Sequence, residues 1–282
     1  MAIAAQQTTL ARPVTKQGIG LHTGSDGSVT LLPAGPDAGV VFVSESGVQV
    51  PASVDCVLGT ERATSLGRGG FVLRGAEHLL AALYALGVDN ARIAVSGPEV
   101  PACDGSAREW VALIRRAGRK RLGAPRQVYR LAEPVWVGGD GAWAAAMPAH
   151  ELALGVAVEY EGTAAERQTL WLPLTGKRFA EELAPARTFC LQEEYQGLLA
   201  AGLARGGSLE NAFAVGADGY SGPLRFPDEV VRHKALDLVG DLALCGCRFV
   251  GQVIAIRPSH RLNVELARGL RAALVTGSAS HT

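Results

Sequence analysis

Two stretches of this 282-residue chain place imidazoles and carboxylates at spacings that chemistry can use. In Arg232-His233-Lys234-Ala235-Leu236-Asp237-Leu238-Val239-Gly240-Asp241-Leu242, the residues His233, Asp237 and Asp241 recur every four positions. On a helix they share one face. Leu236, Leu238, Val239 and Leu242 lie around them, which predicts a polar row bordering a largely buried helix. A histidine and an aspartate one turn apart can grip one cation through an imidazole nitrogen and a carboxylate oxygen. Taken alone, the pair is explained more simply by a His–Asp hydrogen bond on a helix surface.

Glu77 and His78 open a second helix, in Gly75-Ala76-Glu77-His78-Leu79-Leu80-Ala81-Ala82-Leu83. Adjacent helical residues point ~100° apart, so one can ligate a cation while the other faces water beside it. The competing account is a glutamate favoured by the helix dipole next to an incidental histidine. Pooled, His78, His233 and Asp237 supply two imidazoles and one carboxylate. Three protein ligands with one open position is the stoichiometry of a catalytic zinc site.

His260, in Pro258-Ser259-His260-Arg261-Leu262-Asn263, is read in a loop that follows a strand over 249–256. It is either a surface histidine or a general acid whose imidazolium is held by a carboxylate such as Asp241. His150 and His281 read as loop and tail residues. His22 lies in the turn Gly18-Ile19-Gly20-Leu21-His22-Thr23-Gly24, which lacks the GxGxxG order and has no helix after it, so a dinucleotide fold is not indicated.

The elements that must position these residues are short. Strands are expected over 28–32, 40–43 and 91–95, and helices over 77–86 (ending at Gly87) and 107–117. A linker is expected over 118–127. The second half repeats the succession, with strands over 128–137, 142–147, 152–160 and 169–172. Helices follow over 179–183, 193–201 and 230–244. The repeated order predicts two similar sheet-plus-helix domains of the α+β class, 1–122 and 127–282, packed as related layers.

Composition narrows the function classes. Hydrophobic residues make up 48% and charged residues 19%, which excludes disorder. Lys plus Arg and Asp plus Glu both number 27, so no basic excess exists for binding nucleic acid. Mean hydropathy of +0.16 invites a membrane reading. The longest apolar run, Leu79 to Val88, is far short of the ~20 residues of a spanning helix. The N-terminus lacks the basic start and apolar core of a signal peptide. The five cysteines (Cys56, Cys103, Cys190, Cys245, Cys247) form no CxxC pair. That disfavours a disulfide scaffold or thiolate zinc site and fits a reducing cytoplasm. Cys245 and Cys247 read as small core residues near a helix end, with a metal or redox pair as the alternative.

Several motifs occur together in one order. They are Gly18-Ile19-Gly20-Leu21-His22-Thr23-Gly24, Glu77-His78-Leu79, Pro101-Ala102-Cys103-Asp104-Gly105-Ser106, Ala186-Arg187-Thr188-Phe189, Gly206-Gly207-Ser208 and Arg225-Phe226-Pro227-Asp228-Glu229. The run 231–242 and His260-Arg261-Leu262-Asn263 complete the set. From about residue 10 to residue 270 the chain resembles the UDP-3-O-acyl-N-acetylglucosamine deacetylases, zinc amidases of lipid A synthesis. The resemblance implies two α+β domains with the active site where their helix layers meet. It implies one zinc per chain on His78, His233 and Asp237, with Glu77 as general base and His260 as general acid oriented by Asp241. Thr188 would stabilise the oxyanion and Phe189 line the sugar site. Lys234 would bind the diphosphate, pointing away from the metal-facing stripe. Leu191, Tyr195 and Leu199 would wall an acyl passage. The implied partner is an acylated UDP-amino-sugar, for a cytoplasmic, monomeric enzyme with peripheral membrane contact.

Three departures from the family pattern stand out. Arg74-Gly75-Ala76 precedes Glu77, Cys247 stands where histidine is frequent, and Ser259 and Arg261 flank His260. An arginine turned toward that imidazole would lower its pKa. A hydrolase of another N-acyl sugar and a non-catalytic binding protein on the same scaffold are the rival functions.

Overall fold

The computed structural model of the protein describes residues 5–277. Residues 1–4 and His281, both part of the readings above, lie outside the described residues. Six α-helices are found among them: α1 Glu77–Ala85, α2 Arg108–Ala117, α3 Gly176–Arg178, α4 Tyr195–Ala200, α5 Glu229–Leu242 and α6 His260–Gly277.

Two five-stranded sheets carry these helices. The first runs, edge to edge, Val14–Ile19, Asp26–Pro33, Ala91–Ser96, Val40–Ser44, Gln49–Pro51. The second runs Val135–Gly139, Ala142–Met147, Gln252–Ile256, Ala153–Glu159, Arg167–Pro173. In each, the third and fourth strands are parallel and the other neighbours antiparallel. The two halves therefore share one topology, and the class is α+β as expected.

That shared topology decides where the chemistry sits. A parallel pair cannot be closed by a tight turn and needs a long crossover, usually helical. The crossover from Val40–Ser44 to Ala91–Ser96 carries α1, and that from Ala153–Glu159 to Gln252–Ile256 carries α5. α2 and α6 each follow the last strand of their sheet. Residues 29 and 31 in the first sheet, and 154, 156 and 158 in the second, face the buried side, as a period of two requires. α5 and α6 cover the second sheet, and α1 crosses α5 where the two layers meet.

α5 is more deeply enclosed than an amphipathic helix: all of its residues except Arg232 and Lys234 are buried. The crossing is close because Gly240 has no side chain. A Cβ there would press into the main chain of Glu77.

The structure corrects several expectations. Most of the expected linker is a strand, Arg119–Pro125, paired antiparallel with Gln6–Leu10. The strand expected over 128–137 is two, and the first of them, Val128–Arg130, pairs with Arg248–Val250. Gly251 separates that piece from Gln252–Ile256, and a Cβ there would crowd the Met147 carbonyl and Leu131. Residues 179–183 form a π-helical turn. His260 is not in a loop; it is the first residue of α6. Ser259 caps that helix, its hydroxyl accepting the Leu262 N–H at 3.2 Å.

Gly240→Ala forces α1 and α5 apart. Overpacking of this kind costs ~1–3 kcal/mol, which lowers Tm by roughly 2–4 °C per kcal/mol in a chain of this size. Thermal melting of the variant checks this, and an unchanged Tm would show that the crossing is not tight.

Candidate metal centre

Three side chains from the crossing converge. His78 Nε2 lies 3.3 Å from Asp237 Oδ1, and His233 Nε2 lies 3.4 Å from the same oxygen. The two imidazoles meet edge to face, with centroids 5.0 Å apart. One ligand atom from each of His78, His233 and Asp237 lies within 4.8 Å of the others. Although these contacts are short, Asp237 Oδ1 is buried without a hydrogen-bond partner. A buried carboxylate oxygen left so is costly unless a cation takes it. Two imidazole nitrogens and one carboxylate oxygen are also a donor set that zinc favours. The residues fit a divalent metal.

Electrostatics agree with that fit at His233 and Asp237. Burial pushes His233 down to about 4, so the ring is neutral at physiological pH. Its Nδ1 lies 3.1 Å from the Ala186 carbonyl. That contact assigns the proton to Nδ1 and leaves the Nε2 lone pair aimed at Asp237. Burial opposes the charge on Asp237, yet His233, Lys234 and His260 hold its carboxyl well below the usual range. For His78, burial acts downward, but Asp237 outweighs it and the pKa rises.

Two groups that can move protons flank this cluster. Glu77 is buried and accepts the Thr64 N–H at 3.2 Å, and desolvation raises its pKa. Across from it, His260 Nδ1 lies 2.8 Å from Asp241 Oδ2. Burial works against the imidazolium, but Asp241 and Asp237 push His260 up to about 9. A carboxylate with raised proton affinity beside an imidazole that stays protonated at neutral pH is a usable base and acid.

Lys234 does not stand apart from the ligand stripe as expected. Its Nζ pairs with Asp237 Oδ2 at 2.9 Å. Lys234 lies ~100° around the helix from His233, but its spacing of three from Asp237 makes those two side chains neighbours on the helix surface. Burial opposes its charge, while Asp237 raises its pKa. Arg261, by contrast, points away from His260 and pairs with Glu265 at 3.3 Å, its side chain 75% exposed. It does not depress the imidazole.

A cavity of about 290 Å³ opens onto these groups, with Thr188, Phe189 and Leu191 in its wall. Phe189 stands edge-on to Tyr160 and to His233, at 5.5 and 6.0 Å between centroids. Tyr195 and Leu199 lie outside this lining, 40% and 38% exposed on α4. His150 is exposed. Cys245 and Cys247 are free, with their sulfurs 3.6 Å apart and away from the cluster.

Sequence reasoning missed His22, Arg62, Tyr160 and Glu194 in the cavity wall. Glu99 holds the His22 turn by accepting the N–H groups of His22 and Thr23 at 2.9 and 2.8 Å. A Cβ at Gly20 would collide with that carboxylate, so the glycine spacing was the available signal. No periodicity marks Arg62, in an irregular loop, or Glu194, in the short 3-10 turn that precedes α4.

Comparison with known proteins adds an independent finding. The family described as UDP-3-O-acyl N-acetylglycosamine deacetylase matches residues 7–272. A UDP-3-O-acyl-N-acetylglucosamine deacetylase of Thermosynechococcus vestitus is 43% identical, covering 95% of this chain and 95% of the relative. One of Nostoc sp. is 41% identical over 95% of this chain and 99% of its own length. One of Anaeromyxobacter dehalogenans is 40% identical over 93% and 86%.

The expected division of labour, Asp237 as ligand and Glu77 as base, is measurable. Asp237→Ala loses bound metal, falling from about one ion per chain toward none. Glu77→Gln keeps the metal while kcat falls ~10²–10⁴-fold. Elemental analysis beside kinetics checks both, and equal metal loss in the two variants contradicts the assignment.

Proposed function

The chain belongs to the UDP-3-O-acyl N-acetylglycosamine deacetylase family, and we propose that the cluster at the α1–α5 crossing is its catalytic centre, with zinc as the metal. The protein is an amide hydrolase. It removes the N-acetyl group from a UDP-3-O-acyl-N-acetylglucosamine, a step of lipid A biosynthesis. The observation that carries the site assignment is the buried, unpartnered Asp237 oxygen facing two imidazole nitrogens.

In this reading His78, His233 and Asp237 hold the ion. Once bound there, zinc supplies Lewis acidity for the acetamide carbonyl and eases deprotonation of water. Glu77 takes the proton of the attacking water; its buried position and raised pKa suit a group that must accept and keep it. The Thr188 hydroxyl donates to the oxygen that gains charge, and stabilising that charge is commonly the largest single contribution. His260 gives a proton to the departing glucosamine nitrogen, and Asp241 holds its Nδ1–H so that Nε2 faces inward. Acetate and the free amine leave.

Phe189 and Leu191 line the substrate cavity, while Tyr195 and Leu199 serve the acyl chain nearer the surface. Lys234 neutralises Asp237 and presents positive charge toward the diphosphate. The shared strand order of the two sheets supports domains 1–122 and 127–282, with Arg119–Pro125 packing back on the first. Among the described residues no helix is long and apolar enough to cross a membrane. A cytoplasmic monomer is proposed, touching the membrane peripherally through exposed apolar residues such as Ile19 and Leu209.

Purified protein given a UDP-3-O-acyl-N-acetylglucosamine releases acetate, loses this activity to a chelator and regains it with added zinc. A substrate lacking the 3-O-acyl chain turns over far more slowly. Equal rates with and without the chain would favour a hydrolase of other N-acyl sugars. Full activity after complete metal removal would contradict the proposed centre.

A further inference from the structure

Thr64 touches both sides of the proton-transfer machinery at once. It is fully buried, in the loop between the strands Val57–Gly59 and Ser65–Arg68. Its main-chain N–H donates to Glu77 Oε2 at 3.2 Å, and its hydroxyl donates to Asp241 Oδ1 at 2.5 Å. Glu77 begins α1 and Asp241 lies in the last turn of α5. One residue therefore spans the helix crossing at the site.

The other oxygen of Asp241 is already committed. It accepts the His260 Nδ1–H at 2.8 Å and the Asn263 Nδ2–H at 2.9 Å, both from α6. Without a donor on Oδ1, the carboxylate could turn about its terminal bond and carry the imidazole with it. The Thr64 hydroxyl closes that freedom.

The loop that carries Thr64 is itself held. Arg62 adopts a left-handed backbone, φ 62°, which few non-glycine residues take. Its guanidinium is fastened to Glu194 of the second half by two contacts, 2.8 and 3.1 Å. Strained backbone persists only where its surroundings over-determine it, and here two links to the second half do so, Arg62 to Glu194 and Thr64 to Asp241.

We infer that Thr64 is a positioning residue. It fixes the Asp241 carboxylate, and through it the His260 imidazole, relative to Glu77. This rests on the roles proposed above for Glu77, Asp241 and His260. One proton is accepted and another delivered around a single amide carbon, so the separation of base and acid governs turnover rather than substrate binding. A side-chain substitution at Thr64 leaves its N–H on Glu77 and removes the hydroxyl alone.

The test compares Thr64→Val, Thr64→Ser, Asp241→Asn and the double variant Thr64→Val/Asp241→Asn in the metal-loaded protein. Kinetics, metal content and thermal melting are measured for each. Loss of one hydrogen bond to a charged group predicts a ~10- to 100-fold fall in kcat for Thr64→Val. KM should stay within about twofold and metal content stay at the wild-type level. Thr64→Ser should recover to within about threefold of wild type, because it restores the hydroxyl. The double variant should be no slower than Asp241→Asn, since Thr64 acts through that carboxylate.

Wild-type kcat in Thr64→Val overturns the inference, as does a loss carried by KM. So does a serine variant as slow as valine, which would make the methyl group the important part, or losses that multiply in the double variant. If the valine variant does not fold, serine against alanine makes the same comparison: active serine with slow alanine supports the role, and equal rates overturn it. A wild-type chain that does not hydrolyse the acylated UDP-sugar overturns the functional reading and the inference with it. An active wild type with an indifferent Thr64→Val overturns the inference alone.

Discussion

The Asp237 carboxylate is a negative charge held almost entirely out of water, and the arrangement around it answers the cost of keeping it there. Burying an ionised carboxylate without partners costs many kcal/mol, so such groups are paired or coordinate metals. Lys234 takes one oxygen at 2.9 Å, with His260 Nε2 3.9 Å from it. His78 and His233 crowd the other without hydrogen-bonding to it. The result is two imidazole nitrogens, metal donors when neutral, around one anionic oxygen, a set that suits a divalent cation, while Lys234 balances the second oxygen.

The duplicated topology is what makes such a centre affordable. Each sheet requires a crossover helix for its one parallel pair, and each crossover helix lies on the inner side of its sheet. Two such helices then face each other, and Gly240 lets them approach to backbone contact at Glu77. The proposed ligands and base thus arise from the two helices that the fold cannot omit. The proposed acid is the first residue of α6, whose start is set by Ser259. Loops contribute least to the ligand set, but the His22 turn and the Thr64 loop shape the cavity and brace its carboxylates.

Much of this was legible in the sequence because helical spacing is a strong signal. His233, Asp237 and Asp241 at four-residue intervals announce a shared face, and Glu77-His78 before an apolar run announces a helix start. What sequence could not convey was how one chain segment meets another. Lys234 is a different case: it was expected to point away because of its ~100° offset from His233, while its spacing of three from Asp237, which makes the two neighbours, went unweighed. The 118–127 segment looked like a linker because its basic residues carry no period; its pairing with Gln6–Leu10 is a contact across more than a hundred residues. His260 was read in a loop although Ser259 is a good cap and Leu262, Leu266 and Leu270 recur at helical spacing. There the local signal existed and went unread. Thr64 had no signal at all, since its importance lies in two acceptors brought in from other elements.

X-ray absorption at the zinc edge, on protein as purified and without added metal, tests the central claim most directly. Two imidazole nitrogens and a carboxylate oxygen at the α1–α5 crossing predict only nitrogen and oxygen scatterers at ~2.0–2.2 Å, with imidazole multiple scattering, and about one zinc per chain. Sulfur scatterers at ~2.3 Å would place the metal on Cys245 and Cys247 instead, and would contradict the account.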